Sequence, residues 1–343
     1  MSIPNNPMKS AILDIAVQFP SKVLDNKELI KSYPDRDIEL AARRCGVHRR
    51  YIASQDETAL DLAFYACQKL MKRQPELQST VDMLLFCTQT PDYRLPSNAC
   101  VLHGKLGLPE KVGAFDMNLA CSGFTYALGV SHGMIESGIA RNVLIVTADT
   151  YSKYIHEQDR STRILFGDGA AATWVGPGEE QSGIRDITWG TDGKLFHAFM
   201  IPAGACRNPS SAATREERID KSGNVRTYEN IHMDGKEILK FTFSKIPIEV
   251  RKILDRNALS IEEIDLFVFH QASSLVLDNL TQLLGLSPSK VFRNLDNIGN
   301  TVSASIPMGL YSAFEKGIIS RGDQLLLCGF GAGLSWATVL LNF

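Results

Sequence analysis

Residues 81–88 read VDMLLFCT, and residues 264–270 read IDLFVFH. Each segment is short and continuously apolar, which is typical of a strand that is buried on both faces of a sheet. A second pair of similar segments follows at nearly the same separation, with NVLIVT at residues 142–147 and DQLLLC at residues 323–328. The first pair is offset by about 183 residues and the second by about 181, which indicates an internal duplication.

Helical patterns lie between these strands, for example at residues 59–71 and 275–284. The alternation of strand and helix predicts an α/β fold with two duplicated halves, each a mostly parallel sheet layered with helices. A strand-like segment at residues 170–175 is followed by Gly-Pro-Gly at residues 176–178. Because such residues mark turns and boundaries, we predict one half at residues 1–177 and the other at residues 178–343.

The composition, with 44% hydrophobic and 22% charged residues, is that of a folded globular protein. A formal net charge of -2 gives no overall field that would attract nucleic acid or an anionic membrane, so we expect neither as a partner. Residues 1–9 lack the pattern of a secretory signal. The seven cysteines include no C-x-x-C pair, so we expect a cytoplasmic protein with free thiols, without a metal or other cofactor.

The first candidate for chemistry is Cys121, in the stretch NLACSGF at residues 118–124. It follows a strand-like segment at residues 113–117 and precedes a helix-like run from residue 125 to about residue 138. The start of a helix offers free N–H groups and the positive end of the helix dipole, which favour a thiolate. Cysteine is also often a small buried apolar residue, so position alone leaves the catalytic and structural interpretations open.

Three further features lie in the C-terminal half. His270 ends the repeated strand, at the sheet edge where open α/β sheets bind ligands, although a capped core histidine is also compatible with this position. Asn300 lies in the turn sequence NIGNT at residues 297–301, which can also form purely local hydrogen bonds. The glycine-rich turn GFGAG at residues 329–333 lets backbone N–H groups approach a ligand.

Together these motifs resemble the ketoacyl-ACP synthase III family of thiolase-fold condensing enzymes, and the resemblance runs nearly from end to end. The motifs that carry it, in the family's order, are ACSGFTYAL at 120–128, FGDGAA at 166–171, HQA at 270–272, GNT at 299–301 and FGAG at 330–333. The resemblance implies a thiolase-like fold and catalytic roles for Cys121, His270 and Asn300. It also implies acyl-carrier protein or acyl-CoA thioesters as substrates.

The chemistry that the resemblance implies is that of a β-ketoacyl-ACP synthase III-like acyltransferase. Cys121 takes the acyl group from a thioester, and the acyl-enzyme then reacts with a malonyl thioester by decarboxylative Claisen condensation. His270 and Asn300 stabilise the oxygen of the malonyl thioester. The backbone N–H groups of Cys121 and Ala332 form a second oxyanion hole. Fatty acid biosynthesis or a polyketide-like pathway is the expected context.

The segments that would contact the carrier depart from the family's pattern. Leu40 stands near the tryptophan that stacks on adenine in members that use acetyl-CoA, whereas Arg160 keeps the arginine expected on the other face. Residues 273–275 are Ser-Ser-Leu where the family has an asparagine and an arginine, and Lys240 remains as one docking charge. We therefore expect a different carrier or docking surface, and a specialised pathway.

The resemblance further implies a homodimer in which a segment near Leu95 reaches toward the partner's pocket, and Phe330 is expected to border the acyl group. Two other functions stay open. One is an acyltransferase that passes the Cys121-bound acyl group to an amine or hydroxyl, and the other is a non-catalytic partner subunit. Asn300 favours condensation over simple transfer, and Cys121 argues against a scaffold. The acyl chain, the extender and the pathway are not predicted.

Overall fold

A computed structural model of the chain describes residues 9–34, 37–179 and 182–343. Residues 1–8, which carry most of the segment used to argue against a secretory signal, lie outside the described residues. In the part of the chain that is described, no helix has the length and apolar character needed to cross a membrane.

The described residues form fifteen strands. They are β1 (Ser10–Gln18), β2 (Lys22–Asp25), β3 (Arg49–Ile52), β4 (Met83–Cys87), β5 (Gly113–Met117), β6 (Val143–Asp149), β7 (Gly169–Pro177), β8 (Gly183–Thr191), β9 (Phe199–Met200), β10 (Arg218–Ile219), β11 (Val225–Arg226), β12 (His232–Met233), β13 (Leu266–Phe269), β14 (Gln324–Gly331) and β15 (Ser335–Asn342). The four strands predicted from the apolar segments are β4, β6, β13 and β14.

Eleven α-helices connect these strands within the described ranges. They are α1 (Asn26–Ser32), α2 (Ile38–Cys45), α3 (Ala59–Arg73), α4 (Leu77–Thr80), α5 (Asn98–Leu106), α6 (Gly123–Glu136), α7 (Arg160–Arg163), α8 (Gly235–Arg256), α9 (Ser274–Leu284), α10 (Leu295–Ile298) and α11 (Ser305–Glu315). The predicted helices at residues 59–71 and 275–284 correspond to α3 and α9. Helix α3 begins with a reciprocal capping box between Thr58 and Asp61.

The two principal sheets have the same strand order. The first runs β1-β7-β6-β4-β5 and the second runs β8-β15-β14-β13. In the second sheet, an isolated parallel bridge between Phe267 and Val291 occupies the position that β5 has in the first sheet. Registers also correspond, since Leu84 pairs with Leu144 in the first sheet and Phe267 with Leu326 in the second. This shared topology agrees with the internal duplication that the sequence indicates.

The sheets are mixed, so the prediction of mostly parallel sheets is wrong. In the first sheet β4 pairs in parallel with β5 and β6, but β7 is antiparallel to both β6 and β1. In the second sheet only the β13–β14 pair is parallel, and β15 is antiparallel to β14 and β8. For the β14–β15 pair the reason is that a short turn rather than a crossover helix joins the two strands, and a short connection requires antiparallel pairing.

Helices separate and cover the two sheets. Helix α6 is apolar on most of its surface and packs with α11 between the sheets, where Phe124 and Leu310 share one core with Ile145 and Leu327. Helices α3 and α5 cover the outer face of the first sheet, and α8 and α9 cover the outer face of the second. The order of layers is therefore helix, sheet, helix, sheet, helix.

The strands change sheet between Pro177, where β7 ends, and Gly183, where β8 begins. Each of the two principal sheets is built from residues on one side of this point. The division at residues 177 and 178 stays a prediction about domains, and the strand order is compatible with it.

Candidate active site

Cys121 lies at the centre of the molecule, where both halves meet. It follows β5, precedes α6 and is 3% exposed. The end of β14 lies directly against its side chain, because a Cβ atom at Gly331 would lie 2.8 Å from Cys121 Sγ. Only glycine permits this close approach of a backbone to the sulfur. The C-terminal half therefore forms one wall around a residue from the N-terminal half.

The protonation of Cys121 is set by opposing effects. Burial raises the pKa of the Cys121 thiol, and the nearby Asp149 carboxylate raises it further. Hydrogen bonds from the backbone N–H groups of Cys121 and Ala332 act in the other direction. The start of α6 also favours the thiolate. Position at a helix start is therefore not enough to make Cys121 a thiolate.

His270 is placed directly after β13, and its side chain is buried. Its backbone N–H donates to the Cys328 carbonyl at 2.9 Å, so the sheet pairing continues to this residue. The imidazole packs edge to face against Phe330, with ring centroids 5.7 Å apart. Burial lowers the pKa of His270 to about 3. The side chain is therefore a neutral imidazole at physiological pH and can donate only one hydrogen bond.

Ser305 determines which nitrogen of His270 carries that hydrogen. Its Oγ lies 2.6 Å from His270 Nδ1, and Ser305 is fully buried at the start of α11. Among the described residues, the Ser305 hydroxyl has no other hydrogen-bond partner. If Nδ1 carried the hydrogen, the hydroxyl hydrogen of Ser305 would be buried and unpaired, which costs about 1–3 kcal/mol. Ser305 therefore donates to Nδ1, and the N–H of His270 is on Nε2.

Hydrogen bonds fix both the backbone and the side-chain oxygen of Asn300. Its N–H donates to the Leu165 carbonyl at 2.9 Å, and its carbonyl accepts from Gly167 at 3.0 Å. The side-chain oxygen Oδ1 accepts from the backbone N–H of Val302 at 2.9 Å. The Nδ2 group makes only a long contact of 3.5 Å with the Ala272 carbonyl. Because Oδ1 is occupied, Nδ2 is the end of the side chain that can donate to a ligand.

One pocket brings these three side chains together. It has a volume of about 350 Å³, and Cys121, His270 and Asn300 all line it. Phe330 and Arg160, predicted from the resemblance, line it too. The other lining residues are Ala41, Arg44, Cys45, Ser161, Ile164, Leu165, Phe166, Phe199, Met233, Gly235, Ile238, Leu239, Thr242, Ala272, Ser273, Leu275, Val276 and Gly331. The pocket is therefore mainly apolar, with a few polar groups at Cys121.

The remaining predicted contact residues lie outside this lining. Leu40 is 37% exposed on α2, the helix whose residues Ala41 and Arg44 line the pocket at its mouth. Lys240 is exposed on α8, and Leu95 is 83% exposed. Roles for these three residues in carrier or partner binding stay predictions. Ala332 is buried beside Cys121, and its N–H faces the sulfur.

Arg160 is positioned by a buried ion pair. Asp159 caps the N-terminus of α7, which begins at Arg160, by accepting from the N–H groups of Ser161 and Thr162. The same carboxylate pairs with Arg226, whose Nε lies 2.5 Å from Asp159 Oδ2. Removing one partner of such a pair leaves a buried charge uncompensated. The β10–β11 hairpin, which contains Arg226, thus fixes the helix that presents Arg160 to the pocket.

Sequence reasoning did not single out several residues of the site. Phe166 and Gly331 belong to motifs that carried the resemblance, but nothing in their spacing indicated that they line the same pocket as Cys121. Ser305 carries no local signal, since a serine near a helix start usually serves as a cap. No group of three or more histidine, cysteine, aspartate or glutamate side chains among the described residues is arranged to hold a metal ion.

Comparison with known proteins places the fold and site in a family. Two family models match, 3-oxoacyl-[acyl-carrier-protein] synthase III at residues 115–193 and its C-terminal counterpart at residues 254–343. The chain is 36% identical over 334 residues to a β-ketoacyl-[acyl-carrier-protein] synthase III of Caldanaerobacter subterraneus, covering 97% of this chain and 98% of that protein.

Solved structures give the same result. The chain superimposes on a crystal structure of a 3-oxoacyl-(acyl-carrier-protein) synthase III with a TM-score of 0.95 and 42% identity, covering 98% of this chain and 100% of the other. A 3-oxoacyl-(acyl-carrier protein) synthase from Burkholderia xenovorans gives a TM-score of 0.90 and 34% identity, covering 98% and 94%. The layers and the pocket thus define a thiolase-fold condensing enzyme. More narrowly, the chain belongs to the 3-oxoacyl-[acyl-carrier-protein] synthase III family.

Proposed function

We propose that this enzyme loads an acyl group onto Cys121 and extends it by decarboxylative condensation with a malonyl thioester. The observation that carries the proposal is the single pocket lined by Cys121, His270 and Asn300. One of these residues can act as a nucleophile. The other two can donate hydrogen bonds without taking a proton, which is what a developing enolate requires.

The first stage is acyl transfer. Cys121 Sγ attacks the carbonyl carbon of an acyl thioester, and the tetrahedral oxyanion accepts hydrogen bonds from the N–H groups of Cys121 and Ala332. The bond to the carrier sulfur then breaks, and the proton that Cys121 gives up ends on the released carrier thiol. Because one thiol replaces another, acyl transfer releases no net proton. The raised pKa of Cys121 is compatible with this exchange.

The second stage is loss of carbon dioxide. The carbon–carbon bond to the carboxylate of the malonyl thioester breaks, and its electron pair forms an enolate on the thioester oxygen. His270 Nε2–H and Asn300 Nδ2–H donate to that oxygen as it becomes negative. A neutral imidazole is suited to this role, because the low pKa of His270 keeps it from being protonated.

The third stage forms the new bond. The enolate carbon attacks the acyl carbonyl on Cys121, and the resulting oxyanion occupies the site formed by the N–H groups of Cys121 and Ala332. Collapse expels the Cys121 sulfur as a thiolate, which takes up one proton from solvent to restore the thiol, and the product is a β-ketoacyl thioester on the carrier. Simple transfer to an amine or hydroxyl would not need two donors for an enolate, so the amide of Asn300 favours condensation over that alternative.

The side chains at the pocket mouth are evidence for a substrate in the form of a phosphopantetheine thioester. Arg44 and Arg160 line the pocket, and both can pair with phosphate groups. Leu275 lies exposed at the same mouth, where the family's pattern predicts an arginine. The choice between coenzyme A and acyl-carrier protein remains part of the proposal, since both carry this arm.

A homodimer is the proposed assembly. Strand β5 is at the edge of the first sheet, and its Phe115 is 38% exposed. Leu95 is 83% exposed and Phe196 is 57% exposed, and a partner subunit would cover such side chains in the proposed dimer. Light scattering on the purified chain tests this assembly, and a monomer at micromolar concentration would contradict it.

The test of function is intact-protein mass after incubation with acetyl-CoA and with acyl-carrier-protein thioesters. Wild type should gain one acyl group, and Cys121→Ala should gain none. Cys45→Ala is the matched control, because Cys45 lines the same pocket nearer its mouth and its loss should leave the adduct in place. Addition of malonyl-ACP to the acyl-enzyme should release carbon dioxide. An adduct that persists in Cys121→Ala would refute the assignment of the nucleophile.

A further inference from the structure

Asp149 ends strand β6 near Cys121, and its carboxylate is fully buried. One oxygen, Oδ1, accepts from the backbone N–H of Gln89 at 2.8 Å. The other, Oδ2, accepts from the hydroxyl of Ser303 at 2.5 Å and from its backbone N–H at 3.3 Å. A buried carboxylate is strongly unfavourable unless its oxygens are hydrogen-bonded in this way. Asp149 therefore joins the loop after β4, in the N-terminal half, to the segment that follows Asn300.

The segment that Asp149 holds has an unusual backbone. Val302 has a φ of 53°, in the left-handed region. A β-branched residue rarely adopts this conformation, which persists only where the surrounding contacts fix it. Two contacts flank Val302, since its N–H donates to Asn300 Oδ1 at 2.9 Å and its neighbour Ser303 is bound to Asp149. Release of Ser303 would therefore let Val302 leave this conformation and take its N–H away from Asn300.

The Val302 N–H decides the orientation of the Asn300 amide. While Oδ1 accepts that N–H, the Nδ2 group is the end of the side chain that can donate to a ligand. Without that bond, rotation of the amide would present Oδ1 to the substrate. An acceptor cannot stabilise an oxygen that is becoming negative, so the second donor to the enolate would be lost.

Asp149 acts at a distance from the reacting atoms. Within the described residues, it does not line the pocket, and its carboxylate makes no hydrogen bond to Cys121. Burial raises the pKa of the Cys121 thiol, and the charge of Asp149 raises it further. A general base for the thiol would be within hydrogen-bond reach of it. The geometry thus favours a positioning role for Asp149 over a role as that base.

We infer that Asp149 is a positioning residue for condensation, which holds Val302 and Ser303 so that the Asn300 amide presents Nδ2–H to the enolate oxygen. This role rests on the condensation proposed above. It means that the N-terminal half, which supplies the proposed nucleophile, also sets the orientation of a donor that belongs to the C-terminal half.

Two assays test this role. One is the rate at which acetyl-CoA acylates Cys121, and the other is single-turnover condensation of preloaded acyl-enzyme with saturating malonyl-ACP. Asp149→Asn keeps the shape of the side chain, but the amide must turn its NH₂ group toward either Gln89 or Ser303. Condensation should fall by about tenfold or more, as expected when a hydrogen bond to a charged group is lost. Acylation should not slow, because its oxyanion hole consists of the N–H groups of Cys121 and Ala332.

A second variant and a matched control accompany Asp149→Asn. Ser303→Ala removes only the hydroxyl donor and should lower condensation by about three- to tenfold, the effect of one hydrogen bond. It carries the same test if thermal melting shows that Asp149→Asn is unfolded. Asp82→Asn is the control, because Asp82 accepts from the backbone N–H groups of Arg141 and Asn142 at the opposite end of β6. Neither rate should change in this control.

A double-mutant cycle with Asn300 supplies a readout that a merely structural role would not give. In an Asn300→Ala background there is no amide to orient, so Asp149→Asn should slow condensation further by no more than about twofold. Independent damage to the pocket would instead multiply the two losses. The same result is expected when Ser303→Ala is combined with Asn300→Ala.

The outcomes separate the role of Asp149 from the proposed function. If wild type forms no adduct, or if its acyl-enzyme releases no carbon dioxide, the proposed condensation falls and the role of Asp149 falls with it. If wild type does both, slowed condensation with normal acylation and no multiplied loss supports the role. The role alone is overturned if folded Asp149→Asn condenses at the wild-type rate, loses both rates equally, or shows its full loss in the Asn300→Ala background.

Discussion

The two principal sheets share a strand order, yet they supply the pocket with different kinds of group. In the first sheet the connection after β5 leads to Cys121 and α6. In the second, the bridge at Val291, which takes the place of β5, leads to Asn300 and α11. The same topological position thus carries the proposed nucleophile in one half and the proposed amide donor in the other.

The ends of β4 and β13 show the same divergence. β4 ends at Cys87, and β13 is followed by His270, which continues its pairing with β14. Cys87 is fully buried, and a Cβ atom at Gly123 would lie 2.1 Å from its Sγ, so this position serves packing of α6. His270 at the related position faces the pocket. In the proposed mechanism, one half therefore holds the acyl group, and the other stabilises the attacking carbanion.

The largest effect on activity is expected when Cys121, the catalytic side chain from the N-terminal half, is replaced. Cys121→Ala should abolish the acyl adduct and lower condensation by about 10⁴-fold or more, because both stages pass through the sulfur. Intact mass and product formation measure the two stages. Retention of condensation at a measurable fraction of the wild-type rate would mean that the acyl group does not reside on Cys121.

Substitutions of the C-terminal site residues should slow condensation without slowing acyl loading. His270→Ala and Asn300→Ala should each lower condensation by about 10²- to 10³-fold, which is the usual cost of removing one oxyanion donor. The acyl adduct on Cys121 should still form in both variants, because the first oxyanion hole consists of backbone N–H groups. Single-turnover assays on preloaded acyl-enzyme measure the second stage alone. Equal loss of loading and condensation in Asn300→Ala would contradict the division of labour.

Contact between the halves can be tested at Gly331. Gly331→Ala places a Cβ atom 2.8 Å from Cys121 Sγ, closer than packing permits, so either the sulfur or the end of β14 must shift. A shift of this size should slow acyl loading by about 10²-fold, since misplacement of a reacting atom by about 1 Å has that cost. The rate of adduct formation with acetyl-CoA is the measurement. Gly329→Ala is not a suitable control, because its Cβ atom would also meet the Cys121 backbone. Gly193→Ala is suitable, because its Cβ atom would meet no atom of the described residues within 4 Å.

Most of the fold can be predicted from the sequence, because the buried strands are recognisable as apolar segments. β4, β6, β13 and β14 are continuous apolar segments, and Cys121 and His270 follow strands at the edge where ligands bind. The mostly parallel pairing is wrong, because a prediction from strand and helix alternation assumes crossover connections. The predicted glycine-rich turn at residues 329–333 does join β14 to β15, and it also brings Gly331 against Cys121.

The parts of the site that sequence reasoning missed depend on contacts between distant segments. Phe166 lies 45 residues after Cys121 along the chain, yet both line the same pocket. Ser305 matters only because the start of α11 meets the end of β13, 35 residues away along the chain. Neither distance nor orientation of this kind is encoded in local periodicity, whereas strand ends and glycine turns are.

A smaller effect is expected at Ser305. Ser305→Ala removes the donor to His270 Nδ1 and allows the tautomer in which Nε2 lacks a hydrogen, so condensation should fall by about tenfold, as expected for one hydrogen bond. Acyl loading should be unchanged, which a general packing defect would not produce. Nitrogen NMR of the imidazole reports the tautomer directly. Ser303→Ala is unsuitable as a control because Ser303 bonds to buried Asp149, whereas Ser312→Ala on α11 is suitable.

The smallest expected effect concerns pH: titration of His270 should cause no change in the condensation rate. Burial lowers the pKa of His270 to about 3, so the imidazole stays neutral from pH 5 to pH 8, and its ability to donate does not change across that range. Condensation by preloaded acyl-enzyme, in which Cys121 cannot titrate, should therefore show no loss of rate with a midpoint near pH 6.5. A midpoint there that disappears in His270→Gln would show that the imidazole titrates normally and that it acts as a base. In that case the two halves would differ less than the structure indicates, because each would contribute a group that changes its protonation during the reaction.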